Sequence, residues 1–537
     1  MANNTTSTST STRSASATSS AAAHSVTSTS PPSSNGTNTL YHDGDIAFLI
    51  LCTALVLLMI PGVGFFYSGL SRRKSALSLI FTSILACAVT SIQWFIWGFS
   101  LSFSRNVASS GFIGTLSNAF FIGILDQPLV ENPHKIPDLL FALYQSLFSA
   151  IAVVLAAGAA AERGRLLPCA VFMFVWVTLV YDPVACWTWN PHGQGGWAYA
   201  MGVLDFAGGT PVHVVGGCAS LAYSMVLGKR RGHGTHELNY RPHNVASVVI
   251  GTVFMWVGWF GFNAGSALAA NLRAVVAAAT TNLAACVGGI TWCVLDWRLE
   301  RKWSAVGFCS GVVAGLIAIT PGSGYVPVWA AVPFGILGAG LANYGTKIKF
   351  LCNIDDALDT FAVHAVAGLV GNILTGIFAS KDITHLDGVT NIDGGWLDHN
   401  WKQIIFQLAG SFAGGVYSFV MTALIVFALD HIPGLSLRVS EAAEVMGIDD
   451  SEIGEFAYDY VELMREVGID GGGAGSIMDG VGETGSMFSN TQLRQQPQQV
   501  ARSASPTAAA GATRVFTRED TKDSGVVFGG GQTSFYQ

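Results

Sequence analysis

Two histidines lie inside long apolar segments of this 537-residue chain, and their surroundings are alike. Each follows an aspartate by eight residues, since Asp205 precedes His213 and Asp356 precedes His364. An ionisable side chain in the middle of a membrane-spanning helix costs about 2.5–3.5 kcal/mol, so such residues usually have a function. The repeated Asp-to-His pattern predicts that the two imidazoles act together.

When two imidazoles meet in a dry pore, at least one of them is expected to be neutral, because burial and mutual repulsion oppose a second charge. The pair then offers a hydrogen-bond donor and an acceptor that orient a small polar solute or relay a proton. The alternative is two buried histidines that each bond a backbone carbonyl. We prefer that alternative for a single histidine, but the matching positions of His213 and His364 favour the pore.

Asp205 and Asp356 each lie near the start of an apolar segment, about 12 Å along a helix from the following histidine. That separation excludes direct contact with the ring. Aspartate commonly caps the free amides at a helix start, and this is the preferred interpretation for Asp356. Asp205, at the external mouth, would both cap the helix and attract a cation.

The composition indicates a helical protein of the lipid bilayer. Hydrophobic residues form 50% of the chain and charged residues 11%, whereas soluble chains carry about 25% charged residues. The net charge of −7 and the lack of a long basic cluster argue against a nucleic-acid partner. Segments long enough to span a bilayer are expected at 46–70, 77–101, 138–161, 167–189, 204–228, 244–269, 273–296, 303–320, 326–346, 357–380 and 402–430.

The two histidines fall in the fifth and tenth segments, which end two units of five spans. An odd number of spans per unit inserts the second unit upside down, and inverted repeats place binding sites near the membrane midplane. The sequence therefore predicts an all-α integral membrane fold. It has eleven transmembrane helices, an inverted pseudo-two-fold repeat of five plus five helices, and an additional eleventh helix.

Loops that follow odd-numbered spans carry most of the loop lysines and arginines, which predicts that these loops face the cytoplasm. The N-terminus is then extracellular and the C-terminus cytoplasmic. We expect a disordered Ser/Thr-rich tail at 1–40, whose acceptor triplets at Asn4 and Asn35 suit a glycoprotein. The eleven-helix domain should occupy 41–432.

A cytoplasmic region at 433–470 is expected to dock on the membrane domain, followed by a disordered tail at 471–537. Apolar residues recur at helical spacing among acidic residues from Ile453 to Val467, which predicts an amphipathic helix. An isolated solvated helix fits the same pattern. In the tail, Ser503 and Ser505 are candidate targets of a cytoplasmic kinase or regulator.

Aromatic residues stand near the outer ends of several spans. Phe148 lies in span three, Trp189 ends span four, and Phe262 lies in span six, four residues before Ser266. Tryptophans at this depth usually form an interfacial belt. An aromatic wall that faces a vestibule would instead bind small cations, with Ser266 as an acceptor. The sequence leaves both interpretations open.

Several long stretches of the chain resemble the ammonium transporter family (Amt/Mep/Rh), most closely its fungal Mep-type members. The resemblance covers roughly 42–465 and is carried by 61–70, 144–148, 158–163, 205–213, 258–266, 355–364 and 437–441. It implies a homotrimer in which every subunit has its own pore, with ammonium or methylammonium as substrate. It also implies a high-affinity permease of the plasma membrane.

The resemblance also implies roles for particular residues. Trp189, Phe148 and Ser266 correspond to an external cation recruitment site, and Asp205 to an acidic residue needed near the mouth. Phe148 and Phe262 correspond to a stacked aromatic gate, and His213 and His364 to the paired histidines of the pore.

The chain departs from the family pattern beside His364 and retains the histidine at position 213. Ala362 and Ala365 occupy positions where many relatives have glycine, which changes the packing around His364. His213 occupies a position where some fungal relatives have an acid. A histidine there favours the high-affinity fungal subtype, in which nutrient sensing has been associated with transport.

The expected function is uptake of ammonium by capture of the cation, loss of a proton near the gate, and passage of neutral ammonia beside the histidines. The carbonyl-ring motif of potassium channels is absent from the sequence, and a neutral solute avoids the desolvation cost of an ion. Neither an enzyme nor a cofactor is expected, since no nucleophile-and-base pair or metal-ligand spacing stands out. The alternatives are an Rh-like gas channel and an ammonium receptor that signals through the C-terminal tail.

Overall fold

A computed structural model describes residues 41–105, 111–125, 136–192, 195–235 and 241–458. Helices dominate these residues, and Gly164 pairs with Arg438 in an isolated antiparallel bridge. The expected tails at 1–40 and 471–537 lie outside the described residues, as do Asn4, Asn35, Ser503 and Ser505. The described part shows the all-α architecture that the composition predicts.

Eleven apolar helices follow one another in the described residues, and ten of them are long enough to cross a bilayer. The eighth, at the predicted span 303–320, has 15 residues and measures about 22 Å, less than the roughly 30 Å of a hydrocarbon core. In chain order the helices are α1 Asp43–Leu70, α2 Arg73–Phe103, α3 Asp138–Ala160, α4 Leu166–Trp189, α5 Gly209–Leu227, α6 Val245–Gly265, α7 Leu272–Glu300, α8 Ala305–Ile319, α9 Val328–Leu351, α10 Phe361–Phe378 and α11 Gln403–Asp430.

Helices that hold equivalent places in the two five-helix units pack directly on each other. α1 packs along α6, and α5 packs on α10. Glycine allows the closest approach: a Cβ atom on Gly251 would lie 2.5 Å from the carbonyl oxygen of Gly62. Small residues let backbones meet in lipid, where helix association cannot rely on the hydrophobic effect. Contact between first and sixth and between fifth and tenth helices fits a pseudo-two-fold axis between the units.

The segment after α11 crosses the ends of several helices and binds them through acidic side chains. The carboxylate of Asp449 accepts hydrogen bonds from the backbone amides of Leu77 (2.9 Å) and Ser78 (2.8 Å) at the start of α2. Glu452 Oε2 accepts the amide of Leu166, the first residue of α4, at 3.1 Å. Free amides at a helix start need such acceptors, so this segment caps two membrane helices from outside their own sequence.

The amphipathic helix expected from Ile453 does not start there. Ile453 ends a short helical turn, Asp449–Ile453, and Gly454 closes that turn with a φ of +75°. Phe456 then lies in irregular backbone, and the rest of the predicted helix falls outside the described residues. The acidic residues of this turn bond the ends of α2 and α4, so tertiary contacts outweigh the local helical periodicity.

Candidate functional site: paired histidines beneath stacked aromatic rings

The two histidine-bearing helices begin in the same way. Each opens with a wide helical turn that contains the histidine, at Gly209–Val214 in α5 and at Phe361–Val366 in α10. Each turn is capped by the aspartate eight residues before its histidine. Wide turns of this kind are rare and frequently mark functional sites.

Asp205 and Asp356 differ in how fully they are satisfied. The Asp205 carboxylate accepts the backbone amides of Gly208, Gly209 and Thr210 at 2.6–2.8 Å. The Asp356 carboxylate accepts the Phe361 amide through Oδ2 at 2.9 Å. Burial raises the pKa of Asp205 to about 6, although the bonds from the Thr210, Gly208 and Gly209 amides oppose the increase. Asp205 is 4% exposed, and in the structure its carboxylate caps the start of α5.

Two glycines bring the histidine-bearing turns together in a reciprocal manner. Gly217 lies four residues after His213, and a Cβ there would sit 2.5 Å from the Ala365 nitrogen. Gly368 lies four residues after His364, and a Cβ there would sit 3.2 Å from His213 Cβ. Each glycine therefore makes room for the turn of the opposite unit.

The two imidazoles consequently face each other. Their Nδ1 atoms are 3.4 Å apart and their ring centroids 5.5 Å apart. A hydrogen bond at this contact needs one nitrogen to donate and the other to accept, so at least one ring is neutral. The sequence predicted two neighbouring rings contributed by opposed units, and the structure places them so.

Trp259 fixes the orientation of His213. The sequence motifs did not indicate this role for Trp259. Its ring stacks on the imidazole with centroids 5.4 Å apart and an interplanar angle of 18°. Its Nε1 donates to Thr320 Oγ1 at 2.9 Å, which anchors the indole. Trp259 is three residues from Phe262 on α6, so both lie on one helix face. The three-residue spacing between Trp259 and Phe262 could have indicated that Trp259 belongs to the site.

Above the histidines, Phe148 and Phe262 stack face to face with centroids 4.0 Å apart and planes 12° apart. Both side chains are fully buried. The Tyr144 hydroxyl lies 2.7 Å from the Phe262 carbonyl oxygen and 2.9 Å from that of Gly261, which ties α3 to α6 at this level. The sequence motifs did not indicate this role of Tyr144. No solute fits between rings at this separation, so the structure describes a closed state.

Trp189 and Ser266 lie on the other side of the stacked rings from the histidines. The Trp189 ring meets Phe148 edge-on, with centroids 6.1 Å apart and planes at 84°. Its Nε1 donates to the Asp205 carbonyl oxygen at 2.8 Å. Ser266 Oγ donates to the Phe262 carbonyl at 2.9 Å. Asp205 thus positions Trp189 through its backbone, while its carboxylate holds the start of α5.

These contacts form a continuous row of rings, which we call the aromatic–histidine row: Trp189, Phe148, Phe262, His213 and His364. Each neighbouring pair has centroids within 6.1 Å. None of the five side chains carries a fixed charge. The row begins with ring faces suited to a small cation and ends at neutral hydrogen-bonding groups.

Comparison with known proteins agrees with this geometry. Residues 47–458 match the model of the Ammonium Transporter Family. Ammonium transporter 1 of Schizosaccharomyces pombe is 51% identical over 453 residues, covering 82% of this chain and 90% of that protein. Ammonium transporter MEP2 of Saccharomyces cerevisiae is 44% identical over 449 residues, covering 81% of this chain and 89% of that protein.

A solved structure gives the same result at the level of the fold. The crystal structure of Candida albicans Mep2 superposes with a TM-score of 0.72 at 46% identity, covering 79% of this chain and 92% of that chain. The resemblance to fungal Mep-type proteins that the sequence motifs indicate is confirmed. This chain is a member of the Ammonium Transporter Family.

Proposed function

We propose that this chain transports ammonium across the plasma membrane, and that the aromatic–histidine row is its pathway. The observation that carries the proposal is the unbroken sequence of contacts from Trp189 through the stacked phenylalanines to the buried histidine pair. Relatives with 51% and 44% identity are named ammonium transporters, which supports the same substrate here.

In the proposed mechanism, Trp189, Phe148 and Ser266 recruit the cation. Ring faces attract a small cation through their quadrupoles, and Ser266 Oγ offers an acceptor for an N–H donor. Asp205 supports this site indirectly, since its carbonyl oxygen accepts the indole N–H of Trp189. The stacked rings of Phe148 and Phe262 act as a gate that must separate for each passage.

The solute then passes the histidines as neutral ammonia after losing its proton near the gate. Dehydrating an ion in an apolar bore costs several kcal/mol or more, whereas a neutral amine avoids most of that cost. The imidazole nitrogens of His213 and His364 replace its lost hydrogen bonds. Potassium has no proton to lose, so the same bore rejects it.

The remaining features of the proposal concern the whole protein. The N-terminus is extracellular, the C-terminus is cytoplasmic, and three subunits assemble as a homotrimer. The C-terminal tail, with Ser503 and Ser505, offers sites for a cytoplasmic kinase or regulator, which provides a route to nutrient sensing. The basic loops on one side of the membrane support this orientation.

The proposal is tested in yeast cells that lack their own ammonium transporters and express the full chain. We expect saturable uptake of labelled methylammonium that excess ammonium abolishes and an equal concentration of potassium leaves unchanged. Equal inhibition by potassium, or uptake no faster than in cells with an empty vector despite surface expression, would refute the proposed function.

A further inference from the structure

An arginine lies between two aromatic rings at the end of the membrane domain that carries Trp189. The guanidinium carbon of Arg273 is 4.9 Å from the centre of the Phe206 ring and 4.8 Å from the centre of the Tyr325 ring. Arg273 and Phe206 are both buried. A guanidinium is attracted to ring faces, and more strongly where water is excluded. We call Arg273, Phe206 and Tyr325 the arginine clamp.

Two loops hold the arginine in this position. Arg273 Nε donates to the carbonyl oxygen of Gly324, in the loop after α8, at 2.9 Å. Its Nη1 donates to Asp387 Oδ2 at 3.0 Å and to Thr390 Oγ1 at 3.2 Å, both in the loop between α10 and α11. The Phe206 ring packs tightly on the first of these loops, because a Cβ atom on Gly324 would overlap that ring. The clamp is therefore fixed from several directions.

The clamp is connected to the recruitment site through one peptide unit. Phe206 follows Asp205 in the chain, so the Asp205 carbonyl and the Phe206 amide belong to the same unit. The carbonyl accepts the indole N–H of Trp189 at 2.8 Å, and the amide donates to the Pro321 carbonyl at 3.0 Å. A peptide unit is planar, so its two ends turn together. The contacts that fix Phe206 therefore also fix the acceptor that holds Trp189.

We propose that Arg273 and Phe206 are positioning residues for the site that recruits the cation. The inference rests on the proposed function and names the support that holds Trp189 in place. The clamp fixes the peptide unit between Asp205 and Phe206, and its carbonyl holds the indole, whose ring then stands edge-on to Phe148. An aromatic ring attracts a cation over its face. If the indole turns, the cation loses part of that attraction.

The alternative is that the clamp only fastens two loops to the start of α7. The two roles differ in what a clamp variant should change. A purely structural role lowers the amount of folded protein, and with it the maximal rate of uptake. A positioning role raises the half-saturating concentration of substrate at equal surface abundance. It also operates only while Trp189 can donate its indole N–H to the Asp205 carbonyl.

Uptake of labelled methylammonium by cells that express the full chain, corrected for surface abundance, separates these roles. For Phe206→Leu, which removes the ring face, we expect the half-saturating concentration to rise about fivefold and the maximal rate to stay within about twofold of wild type. Arg273→Lys keeps a charge opposite Asp387 but loses the flat group between the rings, so it should raise this concentration too. Phe378→Leu is the matched control. Its ring meets Trp329 edge-on, outside the clamp, and its loss should leave the half-saturating concentration unchanged.

A second background shows whether the clamp acts through the indole. Trp189→Phe keeps a ring for the cation but removes the N–H that the Asp205 carbonyl accepts. Adding Phe206→Leu to Trp189→Phe should therefore raise the half-saturating concentration by no more than about twofold. An equal rise with and without the indole N–H, or no rise in either clamp variant, would overturn the inference. Uptake by the wild-type chain that does not saturate, or that excess ammonium does not abolish, would count against the proposed function itself.

Discussion

At the scale of single residues, the site depends on side chains that hold other side chains in place. His213 is stacked by Trp259, and Trp259 is held by Thr320. Phe262 is held by the Tyr144 hydroxyl at its backbone carbonyl. A ring fixed in this way keeps its nitrogen atoms aimed along the pathway without needing a charge partner.

Replacing Trp259 with leucine should therefore reduce transport without abolishing capture. The imidazole of His213 loses its stacking surface and tilts, and misplacement of about 1 Å at such a site costs on the order of tenfold or more in rate. We expect the maximal uptake rate to fall by about tenfold, with a half-saturating concentration within about twofold of wild type. Trp256→Leu, a partly buried position on the same helix, is the control and should behave as wild type.

At the scale of helices, the reciprocal glycines decide how closely the two units meet. Gly217 faces the backbone of Ala365, and Gly368 faces His213. A side chain at either position would occupy space that the opposite turn already fills. The distance between the two imidazoles is thus set by residues that carry no functional group.

Gly217→Ala tests this packing. Its new methyl group would lie 2.5 Å from the Ala365 nitrogen, so α5 and α10 must separate. We expect a lower midpoint of thermal unfolding in detergent, consistent with a cost of about 1–3 kcal/mol for overpacking, and slower methylammonium uptake. Gly340→Ala on α9 has nothing within 4 Å of the added methyl and should leave both properties unchanged. Equal behaviour of the two variants would contradict the packing argument.

Apolar runs in the sequence locate the helices well but misjudge some of their ends. Spans predicted at 204–228 and 357–380 start instead at Gly209 and Phe361, because Asp205 and Asp356 act as caps outside the helices. The expected helix from Ile453 does not begin there, because acidic side chains of that turn bond other helices. Boundaries set by individual hydrogen bonds, whether from a local cap or from a distant segment, leave no periodic signal.

The histidine pair could be anticipated because the same Asp-to-His spacing occurs twice in the chain. The residues that hold the rings of the site in place could not be anticipated in this way. Tyr144 acts on α6 from α3, and Trp259 reaches Thr320 after α8, so each function depends on a contact across sequence distance. The two Asp-to-His motifs are also too similar to show that Asp205 accepts more hydrogen bonds than Asp356, whose Oδ1 has no partner.

At the scale of the whole molecule, the segment after α11 binds α2 and α4, the helices that precede and follow α3 in the chain. Arg165 donates its backbone amide to the Leu437 carbonyl at 2.9 Å, next to the bridge between Gly164 and Arg438. Asp449 caps the start of α2. A segment that caps membrane helices at their ends can alter their positions when it is released.

Asp449→Ala should measure this contribution. Loss of the carboxylate leaves the Leu77 and Ser78 amides without their acceptor, and lost caps cost about 0.5–2 kcal/mol. We expect a lower unfolding midpoint and faster proteolysis of the C-terminal segment in purified protein. Asp450→Ala, at an exposed neighbouring position, should match wild type. A wild-type midpoint for Asp449→Ala would show that these caps contribute nothing.

The central claim is that His213 and His364 together admit an uncharged amine and reject potassium. The most direct test measures labelled methylammonium uptake and potassium current in His213→Ala and His364→Ala variants whose surface abundance matches wild type. We predict that each variant loses most of its uptake or gains potassium conductance, because each removes half of one hydrogen-bonded pair. Wild-type uptake with intact exclusion of potassium in both variants would contradict the account.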